Sequence, residues 1–422
     1  MYWSTDELYQ TDIFRSVMSR DRFLLLLKFL HFADNSTIDV HDPMRDRLAK
    51  IRPFLCMISD RCKRVYTPGR DLCVDESLLL FKGRLAFKQF IKTKRARFGI
   101  KFFELCSSNG ILLDFLIYHG NMTNQLFALP EFLTSELIPI TLLLPYLDKG
   151  FRLFVDNYYT TPRLASYLLE RKTTLVGTVR STRRQFPVEL ADADLEAGTS
   201  RFALSDSGVL AVKFRALQNK ANNKPKVVYL LSTCHKNEIA TAPKKDKDGN
   251  AILKPTCVLD YNKSMGGVDL IDQQTENLML IRKSYKWYKK IFFRLLSLCL
   301  LSAHKIYKFQ GGQHDFLKFV HDVITQQLTF SPRLNTQPSA LDSISRLTGR
   351  NHFPSKRLYD GIGKRKASKA KKCRVCMARG RKTAKGAAVE TTWVCLQCPS
   401  APGLCLETDC FRDYHTKFDY SS

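Results

Sequence analysis

The sequence predicts an α/β core with helical segments on both sides of it and a small cysteine-rich domain after them. Short β-rich runs, separated by Gly, Asn and Ser, alternate with one helical pattern between residues 70 and 186, which is typical of an α/β core. Apolar runs that are too long for single strands lie before and after this stretch. Six of the 13 cysteines crowd into residues 373–422, which indicates a metal-binding domain.

The sequence predicts a helical segment for residues 1–69. SRDRFLLLLKFLHF offers Ser19 as an N-cap residue and continues as an apolar run, and the polar stretch ADNSTIDVHDP follows it as an exposed loop. The opening stretch MYWSTDELYQTDIFRSVMSR lacks the basic, apolar and small-residue order of a signal peptide, and charged residues interrupt the most apolar stretches. We therefore expect neither secretion nor a membrane span.

The predicted core occupies residues 70–186 and resumes at 256–280. Its strands are expected in DLCVDESLLLF, GIKFFELCSS, GILLDFLIYHG, FRLFVDNYY and TLVGTVR, with TPRLASYLLERK as a helix between the last two. Residues 187–255 hold further strand-like pieces, RFALSD, GVLAVKFRAL and KVVYLLST, around polar, lysine-rich loops. We interpret this stretch as a β-rich insertion.

A second helical segment is predicted for residues 281–345. The pattern YKWYKKIFFRLLSLCLLSAHKIYK predicts an amphipathic helix with an apolar face of Tyr288, Ile291, Phe292, Leu295, Leu296 and Cys299. Its basic residues are expected nearer the opposite face: Lys286, Lys289, Lys290 and Arg294. Residues 346–372 are predicted to be a basic linker, and residues 373–422 the cysteine-rich domain.

The charge of the chain indicates a polyanionic partner. Lys and Arg outnumber Asp and Glu by 67 to 40, a formal net charge of +27. The excess positive charges repel one another, and binding to a polyanion relieves this repulsion. Nucleic acid is the first candidate and an anionic membrane surface the second. Because 44% of the residues are hydrophobic, a wholly disordered chain is excluded.

Four aspartates are candidate metal ligands. Asp75 lies in a predicted strand, Asp156 ends the apolar run FRLFVD, and Asp269 and Asp272 open a helix behind SMGG. Clustered carboxylates repel one another, and hard cations such as Mg²⁺ relieve this repulsion. Two such ions about 4 Å apart would suit an in-line phosphoryl displacement. The alternative is that each aspartate only caps free N–H groups at the end of its element.

The cysteines have the spacing of a zinc ribbon. Cys373, Cys376, Cys395 and Cys398 form C-x2-C-x18-C-x2-C, and Cys405, Cys410 and His415 follow. Seven sulfur or imidazole ligands are too many for one tetrahedral ion. Without a metal, a lysine-rich segment with so few apolar residues would have little to fold around. The domain could bind DNA or, as other zinc domains do, a protein partner.

The chain resembles the piggyBac transposase family. The resemblance is carried by YTPGRDLCVDESLLLFKGR, FVDNYYTTPRLASYL, GTVRSTRR, VVYLLST, YNKSMGGVDLIDQ, RKSYKW and the cysteine-rich end. It implies a ribonuclease H-like core in which Asp75, Asp156 and Asp269 are the catalytic aspartates that bind Mg²⁺ or Mn²⁺. Asp272 matches an additional acid near these metals. The implied reaction is DNA cleavage and strand transfer through hairpin ends into TTAA sites.

The resemblance also implies partners and further site residues. Trp287 matches a tryptophan that could stack on a displaced base, or it could only anchor its helix. Arg180, Arg183 and Arg184 suit phosphate contacts, although loop arginines are often only solvated. Two zinc ions in a cross-brace are implied for the cysteine-rich end, with the eighth ligand open and Asp409 or Asp413 as possible oxygen donors.

On this resemblance we expect a nuclear protein that acts as a homodimer on double-stranded DNA at transposon ends. The resemblance implies that the helical segments 1–69 and 281–345 serve in dimerisation and DNA binding. Relatives have an acidic leader and further helical sequence before the segment that begins here at Met1, so we expect a truncated front in residues 1–69. The alternative to an active transposase is a domesticated nuclear DNA-binding protein that has lost transposition.

Overall fold

The computed structural model describes residues 2–4, 6, 8–38, 42, 45–92, 97–120, 126–217, 226–245, 249–276, 284–330, 352–356, 370–398, 400–417 and 419–421. The chain divides into two compact units. We call His31–Val320 the core unit, and Met1–Leu30 with His321–Ser422 the terminal unit. Most of the predicted basic linker, including residues 357–369, lies outside the described residues.

The predicted helices and strands occur in the predicted order, and the structure adds a helix at Thr134–Leu143 that the sequence analysis did not predict. The helices are α1 (Asp12–Val17), α2 (Arg20–Phe29), α3 (Arg52–Val65), α4 (Thr134–Leu143), α5 (Pro162–Glu170), α6 (Val188–Asp192), α7 (Thr256–Ser264), α8 (Gly267–Glu276), α9 (Trp287–Phe309), α10 (Phe316–Phe330), α11 (Arg374–Ala378) and α12 (Cys410–Thr416), with a short 3-10 helix at Asn35–Thr37. The strands are β1 (Asp71–Leu80), β2 (Gln89–Phe90), β3 (Phe98–Ser107), β4 (Leu112–Ile117), β5 (Arg152–Val155), β6 (Thr174–Thr178), β7 (Ser200–Leu204), β8 (Leu210–Arg215), β9 (Val227–Ser232), β10 (Ile239–Lys245), β11 (Ala251–Pro255), β12 (Pro354–Lys356), β13 (Lys371–Lys372), β14 (Glu390–Thr391) and β15 (Trp393–Cys395).

One mixed sheet of nine strands organises the described part of the core unit. Its strand order is β2-β3-β1-β5-β6-β9-β8-β7, and β4 also pairs with β3. The neighbours β1, β5 and β6 are parallel, whereas β3 and β9 run antiparallel to the strands they join. The five predicted core strands are confirmed as β1, β3, β4, β5 and β6. Strands β7, β8 and β9, from the predicted insertion, extend the same sheet.

Each face of the sheet is covered by helices. We call the side that packs on α7, α8 and α9 the α9 face; Cys73, Leu79 and Phe102 point into it. We call the side that packs on α4 and α5 the α5 face; Leu72 and Val74 point into it. Residues alternate between the two faces along β1 because side chains of a strand point to opposite sides in turn.

Helix α9 differs from its prediction. Tyr288, Ile291 and Leu295 are buried as expected. The predicted division into an apolar and a basic face is wrong, however, because Lys290 and Arg294 are also buried and keep only 7% and 5% of their surface exposed. The helix packs into the core around most of its circumference, and burial lowers the pKa of Lys290.

The terminal unit combines the first two helices with the cysteine-rich residues. Ser19 caps α2, as the sequence predicts, by accepting a hydrogen bond from the backbone N–H of Arg22. Within this unit, β12 pairs with β15 and β13 with β14. The bounds of the seven predicted segments stay a prediction. None of the described helices combines the length and apolar composition that crossing a bilayer requires.

Gly267 begins α8 where the helix approaches the sheet most closely. A Cβ atom at this position would lie 2.5 Å from the Cys73 sulfur and 2.6 Å from the backbone oxygen of Ser107. We expect Gly267→Ala to destabilise the fold by about 1–3 kcal/mol, because α8 must move away from β1 and β3. Gly266→Ala is the matched control, since nothing lies within 4 Å of its added methyl group. Urea unfolding of both variants measures the difference, and equal midpoints would contradict this packing.

Candidate functional site

Asp75 and Asp156 occupy matching positions on neighbouring strands. β1 and β5 pair in parallel register with Val74 opposite Val155, and the two aspartates are the next residues along. Adjacent strands lie about 4.8 Å apart, so the two residues are brought close by the sheet itself. Asp75 points to the α9 face, on the opposite side from Val74.

Helix α8 adds Asp269 to the same face. The close approach of Gly267 to Cys73 places the first turn of α8, which contains Asp269, over β1. Burial raises the pKa of the Cys73 thiol to about 12, and the nearby charges of Asp75 and Asp269 add to this effect. Cys73 therefore lies close to both carboxylates.

Tyr261 of α7 lies near all three aspartates. Its hydroxyl is 3.4 Å from that of Thr178, at the end of β6. Burial raises the pKa of Tyr261 to about 12, and the charges of Asp156, Asp75 and Asp269 all act in the same direction. The structure thus brings the three predicted catalytic aspartates to one side of the sheet, around this phenol. We call this region the carboxylate face.

Asp156 is held in its turn by local hydrogen bonds. Its side chain accepts from the backbone N–H of Tyr158 at 2.9 Å, the contact that the capping interpretation predicts. Burial raises the pKa of Asp156, and the charge of Glu76 raises it further. A local cap does not by itself require a partly buried carboxylate next to other acids, so capping does not account for the whole arrangement.

The carboxylates are neighbours but not a closed ligand set. Among the described residues, two groups of Cys and His place all their ligand atoms within 4.8 Å of one another, and the aspartates do not form such a group.

Asp272 belongs to a buried ionic network that sequence reasoning missed. Arg294 of α9 donates to Asp272, lies 3.5 Å from Glu104 of β3, and donates to the Thr275 hydroxyl at 2.9 Å. Glu104 stands directly opposite Asp75 in the β1–β3 register and accepts from Ser77 at 2.7 Å. The predicted role of Asp272 near the metals stays a prediction, and its contact in the structure is with Arg294.

Burial sets the properties of this network. It raises the pKa of Glu104, which is fully buried, while the Arg294 charge acts in the opposite direction. The sequence does carry a signal for these two residues. Glu104 interrupts the apolar strand FFELC and Arg294 the apolar helix IFFRLL, and a charge inside an apolar run requires a buried partner.

The predicted DNA-binding residues lie in two places. Arg180 and Arg183 follow β6 and donate to Asn157, the neighbour of Asp156, with the Arg180 contact at 3.4 Å. Arg180 and Arg184 are exposed, so this loop brings solvent-accessible cations next to the carboxylate face. Trp287 is half-buried and packs edge-on against Phe87 at 5.5 Å between ring centroids. This contact supports the anchor interpretation, and stacking on a base stays a prediction.

The terminal unit contains two tetrads of potential zinc ligands. One tetrad is Cys373, Cys376, Cys405 and Cys410, and the other is His352, Cys395, Cys398 and His415. The Cys376 sulfur lies 3.5 Å from that of Cys410 and 4.0 Å from that of Cys405. A tetrahedral zinc ion with Zn–S bonds of about 2.3 Å would separate its sulfur ligands by about 3.8 Å. The ligands alternate along the chain between the two tetrads, which is the cross-brace that the resemblance implies.

His352 completes the second tetrad, so the two aspartates suggested for this role are wrong. Its Nδ1 atom lies 3.4 Å from the sulfur atoms of Cys395 and Cys398. Asp413 instead receives hydrogen bonds from Arg379 at 2.9 Å and Arg412 at 3.0 Å. Asp409 pairs with Arg412 at 3.1 Å.

His352 was missed because it lies in the predicted linker, 21 residues before Cys373, outside the local cysteine spacing. His415 is oriented for coordination. Its Nδ1 lies 2.7 Å from the Phe411 carbonyl oxygen and can donate to it, which leaves Nε2 facing Cys398 at 3.3 Å.

Removing Arg294 should strongly destabilise the core unit. Arg294→Met leaves Glu104 and Asp272 without their cation, and we expect a loss of about 3–5 kcal/mol in the free energy of unfolding. Arg171→Met is the matched control, because its ion pair with Asp148 is 40% and 48% exposed and should contribute only about 0–1 kcal/mol.

The loss should depend on pH. The pKa of Glu104 is raised in the folded state, so this residue destabilises the fold as pH rises above its unfolded value, near 4.5. Losing the guanidinium raises that pKa further, so the destabilisation by Arg294→Met should grow between pH 5 and pH 8. Adding Glu104→Gln should remove the added slope. Chemical denaturation at several pH values tests this, and a slope unaffected by Glu104→Gln would exclude Glu104 as its source.

Two family models match the chain. The model described as Transposase IS4 matches residues 1–304, and that of a DDE_Tnp_1-like zinc finger matches residues 349–416, which include His352 and both tetrads. The first match alone covers more than half of the chain.

Curated relatives and a solved structure point the same way. The chain is 25% identical over 430 residues to the human PiggyBac transposable element-derived protein 3, covering 99% of this chain and 66% of the relative. It is 24% identical over 336 residues to the human PiggyBac transposable element-derived protein 2, covering 76% of this chain and 54% of the relative. The chain thus spans less than two thirds of either relative's length.

The solved structure is a cryo-EM structure of the piggyBac transposase synaptic complex with hairpin DNA. It matches with a TM-score of 0.64 and 27% identity, covering 80% of this chain and 72% of that chain. The predicted fold class and the family resemblance are confirmed. On the family models, the relatives and this structural likeness together, the chain belongs to the family of piggyBac-type transposases.

Proposed function

We propose that this chain is a DNA transposase that cleaves and joins DNA strands at the carboxylate face. The observation that carries the proposal is that the register of β1 and β5 and the close packing of α8 on β1 put Asp75, Asp156 and Asp269, from three separate elements, on one side of the sheet. Three independent caps would have no reason to meet on one side of one sheet. The steps through hairpin ends and into TTAA sites, and the nuclear location, rest on the family resemblance.

The donor set fits hard divalent cations. Asp75, Asp156 and Asp269 offer carboxylate oxygens, which Mg²⁺ and Mn²⁺ prefer, and no thiol or imidazole ligand is needed. When bound, such ions activate an attacking oxygen and stabilise the leaving one in phosphoryl transfer. Asp156 is partly buried, and burial raises its pKa. A proton therefore competes with a cation for this carboxylate more strongly than it would at an exposed aspartate.

Cations beside the carboxylate face would hold the DNA backbone. Arg180 and Arg184 are exposed on the loop that contacts Asn157. Phosphate contacts of this kind position a duplex without reading its sequence. The basic terminal unit would add further contacts. A homodimer, as the family resemblance implies, would bring two such faces to a pair of DNA ends.

The two tetrads would each hold one zinc ion and stabilise the end of the chain that contains them. Both consist of ligands that zinc prefers, and each has four of them, which is typical of structural rather than catalytic zinc. Neither tetrad leaves a coordination position open for water or a substrate.

Asp156→Asn should abolish metal-dependent cleavage. The protein is incubated with Mg²⁺ or Mn²⁺ and DNA that carries candidate transposon ends, and nicks and hairpins are resolved on denaturing gels. We expect cleavage by the parent and a loss of at least about 100-fold in the variant. Asp194→Asn is the matched control, because Asp194 also accepts from a nearby backbone N–H but its side chain is fully exposed.

The stability of Asp156→Asn should respond to pH and metal in a defined way. Because the pKa of Asp156 is raised in the folded state, its charge destabilises the metal-free fold above an unfolded value near 3.8. The variant should therefore match or exceed the parent in metal-free melts, by more at pH 7 than at pH 4, and lose its Mg²⁺-dependent shift. Melting below the parent while keeping that shift would refute the metal-ligand role. If the parent binds DNA in a salt-sensitive way but does not cleave it, the result favours the alternative function, a domesticated DNA-binding protein that has lost transposition.

His352→Ala should remove one zinc ion of two. Metal analysis by mass spectrometry is expected to give two zinc ions per chain in the parent and one in the variant, with a lower melting temperature of the terminal unit. Asp413→Asn is the control, because Asp413 pairs with arginines and belongs to neither tetrad, and this variant should retain two zinc ions. Two zinc ions in His352→Ala, or one in Asp413→Asn, would reject the assignment of the eighth ligand.

A further inference from the structure

A cysteine, a histidine and an aspartate form a connected cluster away from the carboxylate face. Cys234 and His235 lie in the turn after β9, and Asp260 lies on α7. The Cys234 sulfur is 3.5 Å from Nδ1 of His235, and Nε2 of His235 is 3.1 Å from an Asp260 oxygen. The Ser232 hydroxyl also lies 2.8 Å from Nδ1.

Two further charged residues fix the orientation of the imidazole. Arg152 donates to the same oxygen of Asp260 at 2.7 Å and to both oxygens of Asp71 at 2.8 and 2.9 Å. With the Asp260 carboxylate held in this way, Nε2–H of His235 donates to it. Nδ1 then carries no proton: the Ser232 hydroxyl can donate a hydrogen bond to it at 2.8 Å, and the Cys234 thiol, at 3.5 Å, can transfer its proton to it.

The cluster is separate from the proposed catalytic site. Arg152 and Asp71 stand opposite each other at the first residues of β5 and β1. Asp75 lies four residues further along β1, a distance of about 13 Å at strand spacing. The thiol and the carboxylates therefore lie toward opposite ends of the same strands.

The surroundings favour the ionised pair. Burial alone would raise the pKa of Cys234, but the hydrogen bond and charge of His235, together with Ser232 and Arg152, lower it below that of an ordinary thiol. Burial would lower the pKa of His235, and Cys234 and Asp260 raise it instead. Cys257 of α7 also faces Cys234, and burial raises the pKa of this second thiol to about 12, so it stays neutral.

We propose that Cys234 is a reactive thiol, at which this chain is covalently modified by peroxides and other soft electrophiles, with His235 as its base. Cys234 is half-buried, so small reagents can reach it, unlike the fully buried Cys73, Cys106 and Cys257. Among the described residues, Cys234, His235 and Asp260 do not form a group whose ligand atoms all lie within 4.8 Å of one another, unlike the two tetrads of the terminal unit.

The chemistry balances for hydrogen peroxide. The Cys234 thiolate attacks one peroxide oxygen, an S–O bond forms, and the O–O bond breaks with its electron pair leaving on the other oxygen. The hydroxide so formed takes the proton from the His235 imidazolium and departs as water. Sulfur is oxidised by two electrons to a sulfenic acid, and the peroxide is reduced.

The test is residue-resolved alkylation of the full, zinc-loaded chain with iodoacetamide, read by mass spectrometry between pH 5.5 and pH 10. Cys234 should react faster than Cys56 at pH 6.5, although Cys56 is the more exposed thiol. His235→Gln should slow Cys234 by about tenfold for each unit by which its pKa rises, and leave Cys56 unchanged. The difference between the parent and the variant should shrink as the pH approaches 10, because hydroxide then forms the thiolate that His235 forms at lower pH.

A second variant and a second reagent keep the test decisive. Asp260→Asn should slow Cys234 in the same direction, because it removes the charge that holds the imidazolium. Exposure to peroxide followed by dimedone should label Cys234 in the parent, Cys56 much less, and Cys234 weakly in His235→Gln. Cys234 reacting no faster than Cys56 at pH 6.5, or unchanged by both substitutions, would overturn the proposal.

Discussion

A single buried guanidinium ties helix α8, which carries one of the three aspartates of the carboxylate face, to helix α9 and to the sheet. Arg294 reaches from α9 to Glu104 on β3 and to Asp272 and Thr275 on α8. Charges in such a place are costly to desolvate, and they are retained where they fix a geometry that apolar contacts would leave adjustable. Since α8 also carries Asp269, the position of a proposed catalytic residue is set by an ion pair one helical turn away. The sheet supplies Asp75 and Asp156 through strand register, and the network supplies the third position.

The two units are stabilised by different means. In the core unit, apolar layers on both faces of a large sheet bury many side chains completely. The cysteine-rich residues of the terminal unit have only a small apolar cluster, which consists largely of the cysteines themselves. For so small a cluster, metal coordination has to supply the folding free energy that a hydrophobic core supplies elsewhere. The chain thus combines a fold that needs no metal to hold its shape with one that is expected to need it.

Sequence patterns predicted the elements well because their signals are local. The β-rich run DLCVDESLLLF, the Ser19 cap of α2 and the helical pattern of α5 depend on neighbouring residues, and the structure agrees with them. The aspartates were found through motifs. The patterns failed where a residue's environment depends on distant parts of the chain. Lys290 and Arg294 were expected on the face opposite the apolar one. Helical periodicity shows which residues share a face, but it does not show how much of the helix the core surrounds. His352 lies outside the cysteine spacing motif, and the partner of Glu104, Arg294, lies 190 residues later in the chain.

The alternation of ligands between the two tetrads affects how the module can be made. The ligands of the two tetrads interleave along the sequence. The last ligand of each lies on α12, Cys410 for one tetrad and His415 for the other. A nascent chain emerging from the ribosome therefore has no complete metal site until α12 has been synthesised, and then it gains both almost together. Before that moment its thiols are unprotected and open to oxidation or to mismatched coordination. Biosynthesis of this module should consequently be sensitive to the supply of zinc once α12 has been translated, and much less so before it.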